Sequence, residues 1–160
     1  MHDFSADPGQ PKPAFYRELL AAADALTAGE PDNVANMANI AALLWQLIPD
    51  LNWAGFYRAI GRELVLGPFC GRPACIRIRF GSGVCGAAAE SGESQLVADV
   101  HAFAGHIACD AASRAELVVP VKRDGTVIAV IDLDSPTVDR FDEDDRAGIE
   151  SLAALVSARI

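Results

Sequence analysis

The sequence predicts an α+β domain with a largely antiparallel sheet, and three observations support this fold class. Two helical patterns come first, several short strand-like runs with mostly short connections follow, and one helical pattern closes the chain. Short connections favour antiparallel pairing, because a parallel pair needs a crossover of a dozen or more residues. The 160 residues suit one domain. We expect a flexible arm over residues 1–13 and a single domain over residues 14–160.

Apolar residues at helical spacing predict a first helix that ends near Gly29 and a second that begins at Asp32, a favourable N-cap. Alternating or continuous apolar runs predict strands over residues 51–57, 63–67, 74–80, 95–97, 116–121 and 126–133, with a loop over residues 68–73. An Ala-rich stretch predicts a short helix over residues 84–90, and Asp124-Gly125 predicts a hairpin turn. The acidic residues after Asp142 predict the first turn of the closing helix.

The charge balance excludes some classes of partner. Lys plus Arg number 13 and Asp plus Glu number 22, so the formal net charge is −9, which argues against binding nucleic acid or an anionic membrane surface. No apolar run approaches the roughly 20 residues that a membrane span needs. No signal peptide is visible at the N-terminus, and we therefore expect a cytoplasmic protein. In that compartment the four cysteines are more often reactive or metal-binding than structural disulfides.

Three cysteines point to thiol chemistry. Residues 105–113 form part of a long predicted loop in which small residues flank Cys109, and long ordered loops are often functional. Cys75 and Cys85 lie upstream. Cys85 stands in the first turn of a short predicted helix, where the pKa of a thiol is usually lowered, but this Ala-rich helix could equally bury the thiol. One attacking thiol and one or two resolving thiols are what reversible two-electron redox chemistry requires.

Two other interpretations of the cysteines stay open. The intervals between them fit no zinc finger and there is no CxxC pair, yet a site of three cysteines and His106 is possible on ligand count. We expect no metal and no cofactor. Alternatively, the thiols are buried apolar residues, which suits Cys70 and Cys75 better than Cys109.

Acidic and aromatic residues form a second pattern. Strand alternation places Asp132 and Asp134 on one face at the end of an apolar strand, and Glu116 begins the partner strand of that hairpin. Carboxyl groups gathered in this way suggest a site that binds a cation or holds a shared proton, although Asp134 also suits a turn. Trp53 and Tyr57 share one face of another strand, either as core residues or as the wall of a small-molecule pocket.

Five segments together resemble the free methionine-(R)-sulfoxide reductases, which are single GAF-domain enzymes. They comprise residues 52–57, 66–69, 83–86, 105–113 and 131–135. The resemblance extends from about Ala14 to the end of the chain. It implies a GAF-like fold, with a central mostly antiparallel sheet and helices on both sides, usually in a homodimer. One departure is Cys70, which stands where family members usually carry glutamine and could offer an alternative disulfide.

The resemblance also implies the roles of the site residues. Cys109 matches the catalytic cysteine, and either Cys75 or Cys85 resolves it. The residues that match the acids and the aromatic wall of the substrate pocket are Glu116, Asp132, Asp134, Trp53 and Tyr57. Among these acids, Glu116 or Asp134 would protonate the substrate.

The implied reaction is reduction of free L-methionine (R)-sulfoxide to L-methionine by the Cys109 thiolate. It proceeds through a sulfenic acid and an intramolecular disulfide, which thioredoxin reduces. The alternative function is a non-enzymatic GAF domain that senses a small molecule or a redox signal. Three thiols with three acids favour the enzyme, because a sensor has no need of them.

Overall fold

The computed structural model describes residue 7, residues 9–105 and residues 111–160. The helices are α1 (Lys12–Thr27), α2 (Asn33–Leu47), α3 (Gly83–Ser91) and α4 (Glu143–Val156), and a short 3₁₀ helix spans Val100–Ala102. The strands are β1 (Trp53–Ile60), β2 (Glu63–Gly71), β3 (Arg77–Arg79), β4 (Gln95–Val97), β5 (Ala115–Arg123) and β6 (Thr126–Ser135). None of the helices in the described part of the chain has the length and apolar character needed to cross a membrane.

The strands form one sheet in the order β3-β2-β1-β6-β5-β4, and every neighbouring pair is antiparallel. Helices α1, α2 and α4 cover one face, and the short helix α3 covers the other. The predicted α+β fold with helices on both sides of the sheet is therefore confirmed. Helix α1 begins at Lys12, close to the predicted domain start, but the boundary between arm and domain stays a prediction.

Alternation along β1 divides the interior into two cores. Ala54 and Phe56 pack in the larger core under α1, α2 and α4, whereas Trp53 and Tyr57 pack in the smaller core under α3. Successive side chains of a strand point to opposite faces of the sheet, so one strand serves both cores. The smaller core contains the predicted aromatic residues and Cys85, and the candidate site therefore lies between α3 and the sheet.

Strand β2 is longer than the sequence predicts. The prediction of a loop over residues 68–73 is wrong for residues 68–71, which belong to this strand. Gly55 pairs with Phe69 and Tyr57 pairs with Leu66, and the register therefore shifts at a bulge that contains Pro68. A bulge tolerates proline, which has no N–H for the ladder. At this bulge Phe69 of β2 lies directly over Gly55 of β1. No larger residue fits at position 55, because a Cβ atom there would lie 2.4 Å from the Cβ of Phe69.

The strand predicted over residues 74–80 is shorter than expected. Only Arg77–Arg79 pair with β2, and Cys75 lies in the connecting loop. The hydroxyl of Tyr57 donates a hydrogen bond to the carbonyl oxygen of Cys75 (3.0 Å). This hydrogen bond gives the carbonyl group of the loop a partner. Ile76, which the alternation placed beside the buried Ile78, is 71% exposed.

Replacing Gly148 of α4 with alanine will destabilise the fold, because α1 and α4 touch at this glycine. A Cβ atom there would lie 2.2 Å from the ring of Tyr16, whose buried hydroxyl donates to Asp145 (2.8 Å) and so fixes the ring. We expect the free energy of unfolding to fall by about 1–3 kcal/mol, the usual cost of overpacking. Thermal and urea denaturation will measure the loss. Ser151→Ala, an exposed change in the same helix, is the control, and equal stability of the two variants would contradict the argument.

Candidate active site

The register of three strands brings the predicted acids together. Trp53 on β1 pairs with Asp134 on β6, and Asp134 pairs in turn with Glu116 on β5. Asp132 lies two residues before Asp134 on β6, where it pairs with Gly55 and with Val118. Paired residues of antiparallel strands share a face, so all three carboxyl groups face the smaller core.

Helix α3 presents a thiol to these acids. Cys85 is buried, and its Sγ donates a long hydrogen bond to Oε1 of Glu116 (3.8 Å). The helix reaches this depth because Gly86 packs directly against the end of β3, where a Cβ atom would lie 2.4 Å from the carbonyl oxygen of Arg79. Gly83 begins the helix with φ = 63°, a conformation that favours glycine. The two glycines on either side of Val84-Cys85 therefore determine where the thiol lies.

Burial controls the ionisation of the acids. Glu116 and Asp132 are only 6% and 5% exposed. Burial raises the pKa of Asp132 to about 7. Burial, with the neighbouring charges of Asp132 and Asp134, raises the pKa of Glu116 well above its ordinary value. Negative charge on Asp132 thus favours the protonated form of Glu116. Oδ1 of Asp132 is buried and has no hydrogen-bond partner among the described residues.

The thiol of Cys85 is also held in its protonated form. Burial is the largest cause, and the charges of Asp132 and Glu116 add to it, so the pKa of this thiol lies well above its ordinary value. The position in the first turn of α3 had suggested a lowered pKa. Of the two alternatives, the structure favours burial, because burial beside two carboxyl groups outweighs the effect of a short helix on the pKa of this thiol.

Aromatic rings close one side of the site. The ring of Trp53 stacks on Tyr57 (centroids 5.7 Å apart) and on Phe69 (5.1 Å). The indole N–H of Trp53 donates to the carbonyl oxygen of Arg72 (3.2 Å), and Tyr57 donates to Cys75 as described above. The two predicted aromatic residues thus line the site and anchor the loop between β2 and β3. Phe69 was missed, because its segment was predicted to be a loop.

The three acids, Cys85, Trp53 and Tyr57 line one cleft. Its lining contains every predicted site residue of the described chain except Cys75, together with Arg72 and Ser113, which the sequence analysis missed. Ser113 is buried and accepts a hydrogen bond from the side-chain amide of Asn52 (3.0 Å). Val100 N–H donates to the carbonyl oxygen of Arg114 (2.7 Å), which joins the two ends of the predicted cysteine loop at the edge of the cleft.

The cysteines differ in state and position. Cys75 is disulfide-bonded, whereas Cys70 and Cys85 have free thiols. Cys70 pairs with Ala54 and shares its face of the sheet, so it lies on the opposite side from the cleft. The alternative disulfide suggested for Cys70 is therefore wrong for this fold, because strand alternation points its side chain away from the acids. Cys109, the predicted catalytic cysteine, lies outside the described residues.

Comparison with known proteins places this architecture in a family. The GAF domain family matches residues 37–160. Over 143 residues, which cover 89% of this chain and 87% of the relative, the sequence is 47% identical to the free methionine-R-sulfoxide reductase of Escherichia coli strain K12. Over 154 residues, which cover 91% and 86%, it is 42% identical to the enzyme of that name from Saccharomyces cerevisiae. The chain belongs to the free methionine-R-sulfoxide reductase family.

A solved structure supports the same relationship. The free methionine-R-sulfoxide reductase of Neisseria meningitidis, determined in complex with its substrate, superposes with a TM-score of 0.93 at 43% identity. The match covers 99% of this chain and 95% of that protein. Five sequence segments suggested a resemblance to the free methionine-R-sulfoxide reductases. This resemblance is confirmed, and it extends over nearly the whole chain.

The raised pKa of Asp132 predicts how stability depends on pH. The folded protein keeps a proton on this carboxyl group up to about pH 7, whereas the unfolded chain releases it near pH 4. The folded state then binds more protons between these values, so the free energy of unfolding falls as pH rises through that window. Asp132→Asn has no carboxyl group to ionise, so its free energy of unfolding will not fall in this way. At pH 8 we expect this variant to be more stable than the wild type by on the order of 1–3 kcal/mol.

The measurement is thermal and urea denaturation between pH 4.5 and 8, with a chelator present. Glu93→Gln, which neutralises an exposed acid, is the control and will keep the pH dependence of the wild type. A pH dependence in Asp132→Asn as steep as that of the wild type would show that this carboxyl group is not the cause.

Proposed function

We propose that this protein reduces free L-methionine (R)-sulfoxide to L-methionine, as an oxidoreductase that uses cysteine chemistry and thioredoxin. The observation that carries the proposal is the cleft in which Glu116, Asp132 and Asp134 face a stacked aromatic wall. Relatives that carry the reductase name, and a structure of one with its substrate, support the same reaction.

The cleft offers complementary groups to each part of the substrate. Asp132 and Asp134 would bind the ammonium group as carboxylates, and the rings of Trp53 and Tyr57 would pack against the methyl and methylene groups. Arg72 is exposed where it lines the cleft, and its guanidinium suits the carboxylate of a free amino acid. A peptide-bound methionine sulfoxide has no free ammonium group, so these acids would stay unpaired and the peptide would be rejected.

Glu116 is our candidate for the proton donor. The sulfoxide oxygen must gain a proton as the sulfur is attacked, since an unprotonated oxide is a poor leaving group. Glu116 keeps its proton because it is buried beside Asp132 and Asp134, and a neutral carboxylic acid is a competent donor. This assignment chooses between the two candidates that the sequence left open.

The electrons come from cysteine. The Cys109 thiolate attacks the sulfoxide sulfur and forms a sulfur–sulfur bond, while the proton from Glu116 turns the sulfoxide oxygen into a hydroxyl group. This hydroxyl then moves to the sulfur of Cys109 as the sulfur–sulfur bond and the original sulfur–oxygen bond break, which leaves Cys109 as a sulfenic acid and releases methionine. A second thiol then condenses with the sulfenic acid, which forms a disulfide and releases water. Thioredoxin reduces this disulfide by thiol–disulfide exchange and is itself oxidised.

We propose Cys75 as the resolving thiol. It lies in a half-exposed loop held by Tyr57, and it is the cysteine of the described chain that is disulfide-bonded. Cys85 suits the role less well, because it is buried and its thiol is held in the protonated form, whereas exchange with thioredoxin needs access to the disulfide.

The test is NADPH consumption in the presence of thioredoxin and thioredoxin reductase. We expect turnover with free methionine (R)-sulfoxide and none with the free S epimer or with a peptide-bound sulfoxide. Binding of free methionine sulfoxide without turnover, even with dithiothreitol as reductant, would refute the enzyme and favour the sensor domain. The implied homodimer is a separate proposal, which sedimentation equilibrium of the reduced protein will test.

A further inference from the structure

Cys85 has no task in the reaction proposed above, yet its surroundings are unusual for a spare thiol. The free thiol is buried and lies 3.8 Å from Oε1 of Glu116. Sγ of Cys85, a carboxyl oxygen of Glu116 and one of Asp132 all lie within 4.8 Å of one another. All three residues are buried, and an apolar core would have been the simpler surroundings for a cysteine that only fills space.

The distance between the sulfur of Cys85 and the carboxyl oxygen of Glu116 is close to that between two ligands of one zinc ion. Zinc binds thiolate sulfur at about 2.3 Å and carboxylate oxygen at about 2.0–2.2 Å in a tetrahedron, so a sulfur and an oxygen ligand lie about 3.5 Å apart. The distance between Cys85 and Glu116 is close to this value. Sulfur and carboxylate ligands together suit zinc better than magnesium or calcium, which prefer oxygen alone.

A second observation points to a ligand at this place. Oδ1 of Asp132 is buried without a hydrogen-bond partner among the described residues, and an orphaned carboxylate oxygen is costly inside a protein. A cation would satisfy this oxygen, displace the proton of Glu116 and compensate the charges of both carboxylates. No lysine or arginine side chain other than that of Arg72 lines this cleft within the described chain.

We propose that Cys85, Glu116 and Asp132 form a site for a zinc ion in the reduced protein, and that the ion excludes the substrate. Three protein ligands leave the fourth position open toward the cleft, where a water molecule completes the tetrahedron. Glu116 and Asp132 cannot serve the metal and the sulfoxide at the same time. The competition rests on the proposed function, whereas the metal site itself does not.

Cobalt binding tests the site without measuring activity. The protein used is the full chain with Cys75→Ser and Cys109→Ser, so that Cys85 is the one thiol left in the cleft. We expect cobalt to give the near-ultraviolet absorption of a cobalt–thiolate bond, and zinc to abolish it at one ion per chain. Adding Cys85→Ser will remove the band, whereas adding Cys70→Ser, the matched change on the opposite face of the sheet, will leave it intact.

Two further measurements complete the test. Glu116→Gln will weaken zinc binding at least tenfold, measured against a chromogenic chelator, and circular dichroism will verify that the variant is folded. Free methionine sulfoxide will raise the apparent Kd for zinc.

The opposite results separate the two proposals. Absence of the band, its loss with Cys70→Ser or unchanged affinity in Glu116→Gln would overturn the metal site, even if the wild-type protein reduces the sulfoxide. A band that forms normally without competition from the sulfoxide would overturn the exclusion of substrate and leave the site itself established.

Discussion

Replacing Cys75 with serine will limit the protein to a single turnover. Cys109 will still attack the sulfoxide and release one methionine per chain, because the first half of the reaction needs no second thiol. The sulfenic acid then persists, and steady-state NADPH consumption with thioredoxin falls on the order of 10²-fold or more, since a disulfide no longer forms for thioredoxin to reduce. Rapid quenching will count the methionine released, and dimedone with mass spectrometry will locate the sulfenic acid on Cys109.

The other cysteines provide matched controls for this experiment. Cys70→Ser will keep steady-state turnover, because that side chain lies on the opposite face of the sheet from the cleft. Cys109→Ser will release no methionine, even in the first turnover. If Cys85→Ser rather than Cys75→Ser stops the reaction after one methionine, the resolving role belongs to the buried thiol and our assignment is wrong.

Replacing Glu116 with glutamine will lower kcat/KM by about 10²–10⁴-fold, the usual contribution of a positioned general acid. Glutamine keeps the size of the side chain but has no acidic proton for the sulfoxide oxygen. The wild-type rate will fall as pH rises through the raised pKa of Glu116, because the protonated form is the active one, and Glu116→Gln will lose this dependence. The measurement is kcat and KM for free methionine (R)-sulfoxide between pH 6 and 9, with a chelator present.

Two variants separate proton donation from binding. Asp132→Asn removes a carboxylate proposed to bind the ammonium group, so its main effect will be a higher KM. Glu93→Gln changes an exposed acid and will leave both constants unchanged. A raised KM with an unchanged kcat in Glu116→Gln would mean that Glu116 binds the ammonium group, and Asp134 would then become the candidate proton donor.

Several features of the site follow from the sequence because they depend on local periodicity. Alternation alone places Asp132 beside Asp134, and Trp53 beside Tyr57, on one face of a strand. The Asp124-Gly125 turn joins β5 to β6 as the sequence predicts, with Arg123 opposite Thr126. The register set by this turn would pair Glu116 with Leu133, but a bulge at Val121 and Lys122 shifts the ladder by one residue, so that Glu116 pairs with Asp134. Alternation and the turn therefore place Glu116 on the strand next to the two aspartates, whereas the bulge decides that it shares their face.

Other features depend on which distant segments pair, and the tertiary structure decided them. The pairing of β1 with β6 places Trp53 beside Asp134, and the bulge in β2 brings Phe69 over Gly55. The sequence determined the fold class and two pairs of site residues, because backbone alternation is local. Only the folded chain decided that Cys70 faces away and that Cys85 lies buried against Glu116, because pairing between distant strands and burial from water depend on the whole molecule.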